Sequence, residues 1–366
     1  MRKLLFLSTL FIAFTLNAQK TKPLIEIASN DARIEYTGRT NVSENGVSYD
    51  WSGVYVRVKF KGTQLSIRCS DTKNSYLNIW VDKEMSPIAD KSIKIAAKDT
   101  LITLSEGLKK GEHEVIFQKR TEGEQGKITI HSFLSDGEIL QANGRKSRHI
   151  EFIGDSYTCG YGTESKSKND PFLAETENCN LTYAAIASRY FNADFNLVAH
   201  SGQGICRNYD DFRPGYNMPD RYSHVFDEST DYIWNAAEAP YRPDIVVIYL
   251  CTNDFSTGRQ PHQNIFVARY IELLNKVKTN YGEDIPILCM ASNANPLTYD
   301  YIRSACLLSE LKNVSYMGMS KNIHNQDSDL GASYHPNYQG HIKVASSMIP
   351  YISTITGWEM TDQPYK

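Results

Sequence analysis

The hydrophobic rhythm of this chain changes near residue 145, and no other feature constrains its fold as strongly. Upstream, short runs alternate apolar and polar residues. "VYVRVKF" sets Val54, Val56, Val58 and Phe60 on one face and Arg57 and Lys59 on the other. "QLSIRCS", "YLNIWVD", "IKIAA", "HEVIFQ" and "KITIHSF" behave in the same way, and turn clusters such as Lys61-Gly62 and Lys110-Gly111 separate them. Period-two runs at this spacing predict an antiparallel β-sandwich over residues 19–141, with "ANGRKSR" (142–148) as a linker. Downstream the pattern becomes strand, then helix. "HIEFIGDS", "ADFNLVAHSG", "DIVVIYLCTND" and "IPILCMAS" read as strands, and "LTYAAIASRYF", "NIFVARYIELLNKVK" and "YQGHIKVASSMIPYIS" as helices. That alternation predicts, over 149–366, a parallel sheet covered by helices on both faces.

In open α/β sheets, ligands bind beyond the carboxyl ends of the strands. Three polar clusters fall there: Gly154-Asp155-Ser156, Ser201-Gly202-Gln203-Gly204 and Thr252-Asn253-Asp254. A fourth, "SYHPNYQGH", sets His335 just ahead of the last helix. Each cluster alone reads as a turn, since Gly, Asp, Asn and Ser are common turn residues. Together they supply what acyl transfer needs. A serine hydroxyl is a weak nucleophile until a neighbouring base takes its proton, and His335 titrates in the right range. The backbone N–H groups of Ser156 and Gly202 and the side-chain amide of Asn253 are candidate donors to a tetrahedral oxyanion. Asn253 as a helix cap and Gly202 as a turn former are the plainer alternatives. Asp155, His200 and His341 read as structural. The order Gly154-Asp155-Ser156-Tyr157-Thr158 is not the G-x-S-x-G elbow of α/β-hydrolases. No spacing suggests a metal site, and the chemistry requires no cofactor.

These blocks resemble the SGNH (GDSL-type) hydrolases, and within them carbohydrate esterase family 2. "GDSYTCGYGTE", "TEN", "SGQGICRN", "TNDFS" and "HPNYQGH" look like that branch's motifs, and "YDWSG" (49–53) and "FQKRTE" (117–122) like its N-terminal domain. The resemblance implies a jelly-roll β-sandwich followed by an SGNH domain that removes O-acetyl groups from plant polysaccharides or their oligosaccharides. It carries over Ser156, Gly202, Asn253 and His335. The chain departs from the pattern where a catalytic Asp commonly precedes the His by three, here Ala332, and where an acidic residue often precedes it by two, here Ser333. Some members of the branch it resembles work as a Ser–His dyad with a backbone carbonyl orienting the ring, and the resemblance implies that arrangement here; Asp327 or Asp329 reaching in from the preceding loop is the alternative. Cys251 stands where Gly is frequent, and either crowds the oxyanion block or packs inside. Tyr334 stands where Trp is frequent, and either stacks on a sugar ring or packs beneath its loop.

The first residues, "MRKLLFLSTLFIAFTLNAQK", carry a short basic start, an apolar run too short to span a bilayer, and a small-residue cleavage site after Ala18. A signal peptide over 1–18 and a secreted or periplasmic protein follow. A net charge of −3 gives no footprint for nucleic acid or anionic membrane. The seven cysteines leave at least one without an internal partner. Cys159 and Cys179 are the candidate disulfide, while Cys251 and Cys289 read as buried thiols. Three rival functions remain open on sequence: a lipase or thioesterase on the same fold, a noncatalytic carbohydrate-binding protein, and a lectin-like β-sandwich with an enzyme attached.

Overall fold

The computed structural model describes residues 23–95, 98–211, 216–292 and 295–361; the leader expected over 1–18 lies outside them. The first strands are Ile25–Ala28 (β1), Glu35–Thr37 (β2), Asn41–Ser43 (β3), Gly46–Tyr49 (β4), Tyr55–Gly62 (β5), Leu65–Asp71 (β6), Tyr76–Val81 (β7), Lys91–Lys94 (β8), Thr100–Ser105 (β9), Gly111–Lys119 (β10), Ile128–Ser135 (β11) and Glu138–Leu140 (β12). They form two antiparallel sheets, ordered β3-β4-β11-β6-β9 with β1 on β11, and β12-β5-β10-β7-β8 with β2 on β5. The inward faces of both meet in one core that includes Val56, Val58, Phe60, Ile67, Ile79, Phe117, Ile130 and Phe133. The period-two pattern is thus realised as two stacked sheets.

Five strands build the second part: His149–Gly154 (β13), Asp194–Ala199 (β14), Ile245–Leu250 (β15), Ile287–Ala291 (β16) and Val314–Gly318 (β17). All pair in parallel, in the order β14-β13-β15-β16-β17. Every residue of β13 to β16 is buried, as strands covered on both faces must be. Helices Gln263–Tyr281 (α4) and Leu297–Leu308 (α5) pack against Val246, Ile248 and Ile287 on one face. Tyr183–Tyr190 (α2) and Tyr338–Thr356 (α6) pack against Val247, Tyr249 and Leu288 on the other. One face of α4, with Phe266, Val267, Tyr270, Leu274 and Val277, is buried throughout. Short helices Ser156–Cys159 (α1) and Met218–Arg221 (α3) lie in the loops after β13 and β14.

The alternation sets Arg57 on the face opposite the sandwich core, and there it is 2% exposed. The outer face of its sheet docks on the α/β part. Tyr55, Trp80 and Ile116 join a core cluster with Phe195, Leu197 and Tyr183. Asp194, at the start of β14, accepts a hydrogen bond from the Tyr55 hydroxyl at 2.7 Å and pairs with Arg57 at 3.2 Å. Burial of this cation is tolerable because the carboxylate is buried with it. A period-two pattern reports which residues alternate, not what covers the second face.

Candidate active site

Ser156 is presented by a turn that only this sequence order closes. A Cβ on Gly154 would lie 1.9 Å from Thr158 Oγ1, so the strand must end on glycine. Asp155 caps α1, accepting the Tyr157 N–H at 3.1 Å, as the structural reading of this residue anticipated. Gly160 at φ +86° ends the helix after one turn. Ser156 Oγ then lies 2.8 Å from His335 Nε2.

His335 is held by a strained turn. Strands Leu330–Gly331 (β18) and His335–Pro336 (β19) pair across Ala332–Tyr334. Ser333 (φ +50°) and Tyr334 (φ +63°) are both left-handed, a conformation that costs about 1–3 kcal/mol in a non-glycine residue. It is held in place because Ser333 N–H donates to Asp170 O and Tyr334 N–H to Lys168 O, each at 3.1 Å. The turn aims two carbonyls at the imidazole: Ala332 O and Ser333 O lie 3.2 and 3.1 Å from Nδ1. A carbonyl only accepts, so Nδ1 carries the proton and Nε2 offers its lone pair to Ser156. The alternative of a carboxylate from the preceding loop is not met. Asp327 pairs with Lys168 at 3.3 Å and is exposed. Asp329 accepts Asn325 N–H at 2.6 Å and pairs with Lys343.

Aromatic rings enclose the imidazole. Tyr161 stacks on it with centroids 4.2 Å apart, Phe172 stacks on Tyr161 at 4.3 Å, and Tyr157 meets its edge at 5.4 Å. Burial lowers the His335 pKa to about 4, against the opposing pull of the two carbonyls. Sequence reasoning did not single out Tyr157, Tyr161 or Phe172, although the first two stand within three residues' reach of α1 in "GDSYTCGY".

The donor groups converge from neighbouring strands. Gly202, after β14, has φ +78°, and its carbonyl accepts Tyr209 N–H at 2.7 Å. Among the described residues, neither Ser156 N–H nor Gly202 N–H is given to a protein acceptor. Asn253, after β15, does not cap its helix. Its Nδ2 donates to Gln203 O at 2.9 Å and, more weakly, to Asp155 Oδ2 at 3.3 Å. Burial raises the Asp155 carboxyl to about 7. Asp254 accepts the N–H groups of Ile205, Cys206 and Arg207 at 2.9–3.0 Å, fixing the loop that follows Gly202. Cys251 is fully buried at φ +92°. A left-handed backbone is the physical reason glycine suits that position, and the thiol packs inside. Tyr334 is 57% exposed on the rim, with Lys168 over its ring and Asn169 Oδ1 at 3.3 Å from its hydroxyl; it does not pack beneath the loop.

Other polar groups have internal roles. The expected disulfide is absent: Cys159 and Cys179 are buried free thiols. Cys179 Sγ faces Lys119 O at 3.6 Å, and Cys159 faces Glu122 and Glu177. His200, read as structural, is buried with Nδ1 2.8 Å from Asp227, which Arg221 also neutralises at 2.7 Å. Glu122-Cys159-Glu177 and His200-Asp227-Glu228 are the two groups spaced closely enough to ligate an ion among the described residues. A cleft of about 680 Å³ at the ends of β16 and β17, between Ser292, Thr298, Tyr299, Lys321 and Tyr351, contains none of Ser156, Gly202, Asn253 or His335.

A β-sandwich packed on a five-stranded parallel sheet, with Ser, Gly, Asn and His blocks at the strand ends, defines the GDSL-type hydrolase class. Residues 36–142 match the family model described as carbohydrate esterase 2 N-terminal, and 152–342 match the GDSL-like lipase/acylhydrolase family. The chain belongs to carbohydrate esterase family 2, and that membership makes it an ester hydrolase. It is 32% identical over 334 residues to the cellulase/esterase CelE of Acetivibrio thermocellus, covering 89% of this chain and 40% of that protein's length. It is 26% identical to an acetylxylan esterase/glucomannan deacetylase of Cellvibrio japonicus, covering 93% of this chain and 94% of that one. A solved family two carbohydrate esterase from Clostridium thermocellum, in complex with cellohexaose, superposes with TM-score 0.79 at 31% identity, covering 89% of this chain and 100% of that one.

Proposed function

We propose that this protein is a secreted esterase that removes O-acetyl groups from plant polysaccharides or oligosaccharides of the xylan or mannan type, using Ser156 and His335 as a dyad. The observation that carries the reading is the 2.8 Å contact between Ser156 Oγ and His335 Nε2, with Nδ1 turned to two carbonyls. The names of relatives that cover most of the chain support the substrate class.

The reaction has two acyl transfers. His335 Nε2 takes the Ser156 proton as Oγ attacks the acetyl carbonyl. The oxyanion is met by Ser156 N–H, Gly202 N–H and the Asn253 amide, which exchanges its weak bond to Asp155 for the stronger one to the anion. Each such donor is worth about 3–4 kcal/mol of barrier. The imidazolium returns its proton to the departing sugar hydroxyl. Water, deprotonated by the same nitrogen, then attacks the acetyl-serine ester, and the imidazolium returns that proton to Ser156 Oγ as acetate leaves. Tyr334, exposed beside this centre, offers a flat face for a sugar ring.

Acetate release from acetylated xylan and acetylated glucomannan, set beside hydrolysis of 4-nitrophenyl butyrate, tests the proposal. The expected result is faster turnover of the acetylated sugars, lost by roughly 10⁴-fold or more in Ser156→Ala. Preference for the longer acyl ester would move the protein to the lipase reading. Binding of polysaccharide without release would make it a carbohydrate-binding protein.

A further inference from the structure

The stretch from Lys119 to Gly123 leaves the last residue of β10 in the β-sandwich and ends beneath the loop that carries Gly202. Its path is fixed at every residue. The Lys119 ammonium, fully buried, folds back to donate to Thr121 O at 2.6 Å and Glu122 O at 2.7 Å. The Arg120 guanidinium donates to Glu177 O at 2.7 Å and Glu175 O at 3.0 Å, and pairs with Glu164. Gly123 passes so close to Asp227 that a Cβ would lie 2.4 Å from its carboxylate.

Glu122 is thereby held with its side chain 2% exposed. Its N–H donates to Glu177 Oε1 at 3.2 Å, and its own Oε2 accepts the Ser201 N–H at 2.7 Å. Ser201 immediately precedes Gly202. The same Oε2 lies 3.8 Å from Nδ1 of His200, the first residue after β14. A second sandwich carboxylate, Asp50, accepts Asp227 N–H at 2.7 Å and Glu228 N–H at 3.0 Å, bracing the acid that faces His200. A backbone N–H at the molecular rim is ordinarily satisfied by water. Here it is satisfied by a buried carboxylate through a short charge-assisted bond, which fixes direction as well as energy. The plane of the peptide between Ser201 and Gly202 sets where the Gly202 N–H points.

We propose that Glu122 is a positioning residue: by holding Ser201 N–H it fixes the turn that aims Gly202 N–H at the oxyanion, so the β-sandwich domain completes the catalytic apparatus of the neighbouring domain. This rests on Gly202 N–H being an oxyanion donor, as proposed above.

The test compares kcat and KM of the full chain on 4-nitrophenyl acetate, normalised to the folded fraction, for Glu122→Ala, Glu122→Gln and Glu122→Asp. Glu122→Ala is expected to lose about 10–100-fold in kcat, since misplacing a preorganised group by about 1 Å can cost about 10²-fold, while KM stays within about twofold because the donor acts mainly on the transition state. Glu122→Gln keeps an acceptor oxygen at the same reach and is expected to recover kcat to within about fivefold, as a conserved hydrogen bond should. Glu122→Asp keeps the charge, withdraws the acceptor by one methylene and should stay impaired. Folded Glu122→Ala or Glu122→Asp with wild-type kcat overturns the proposal, as does loss of melting temperature with kcat per folded molecule unchanged. Should Glu122→Ala not fold, the Glu122→Asp kcat decides alone. A Ser156→Ala variant run in parallel separates the two claims: its inactivity beside fully active Glu122 variants removes only the role of Glu122, whereas its full activity removes the underlying mechanism.

Discussion

At the scale of single residues, the site turns on how a histidine is made a base without a carboxylate behind it. A carbonyl dipole orients Nδ1–H but stabilises the imidazolium less than a full negative charge does. Burial beneath Tyr161 and Tyr157 outweighs the pull of the two carbonyls toward the charged ring, and lowers the His335 pKa to about 4. In the proposed dyad the imidazole is therefore neutral, and able to take a proton, well below the usual histidine range. The acidic limb of kcat/KM, which reports the free enzyme, is expected to have its midpoint near pH 4–5 on 4-nitrophenyl acetate. A midpoint near 6.5 would mean that the imidazole is not desolvated as described. The linkage to stability follows in sign. The folded pKa of His335 lies below the ordinary 6.5, and that of buried His341 falls to about 3. Between these values and 6.5 the unfolded chain binds more protons, so both residues make the fold less stable as pH falls through that window. His200, raised by the Asp227 carboxylate despite its burial, acts oppositely and adds stability that is lost as pH rises through its folded value.

At the scale of elements, the Ala332–Tyr334 turn sets how the His335 imidazole is oriented. The sequence pattern located His335 and showed that no acid stood three or two residues before it. It did not show that two successive left-handed residues would swing both carbonyls onto Nδ1, because neither Ser333 nor Tyr334 is a residue type that signals positive φ. An aspartate at 332 would be desolvated: Ala332 is fully buried, and its methyl group faces Gly162 so closely that a Cβ there would lie 2.6 Å from it. Ala332→Asp is accordingly expected to lower stability by about 1–3 kcal/mol through overpacking and desolvation, with kcat no higher than wild type. Denaturant unfolding alongside turnover would check this, and an increase in kcat at unchanged stability would show that the turn does accommodate a triad. Cys251 teaches the complementary lesson: its departure from glycine was visible in the sequence, but the reason glycine fits there, φ +92°, was not.

At the scale of the whole molecule, the two folding rhythms and the four site blocks were legible because each is a local pattern: period two, strand–helix alternation, polar clusters at strand ends. What joins the halves was not. The contacts of Arg57 with Asp194, Asp50 with Asp227 and Glu122 with Ser201 link residues from 79 to 177 positions apart, and no periodicity encodes such pairings. The failed pairing of Cys159 with Cys179 has the same origin, since Cys179 packs in the cluster that joins the halves and Cys159 faces Glu122 of the β-sandwich. The proposed transfer of an acetyl group through Ser156 is tested by trapping the intermediate. Turnover of an activated acetyl ester quenched with acid, followed by peptide mass analysis, is expected to show one acetyl group on the peptide containing Ser156 and none in the Ser156→Ala variant. Undiminished acetate release by Ser156→Ala, with no adduct on that peptide in the wild type, would contradict it.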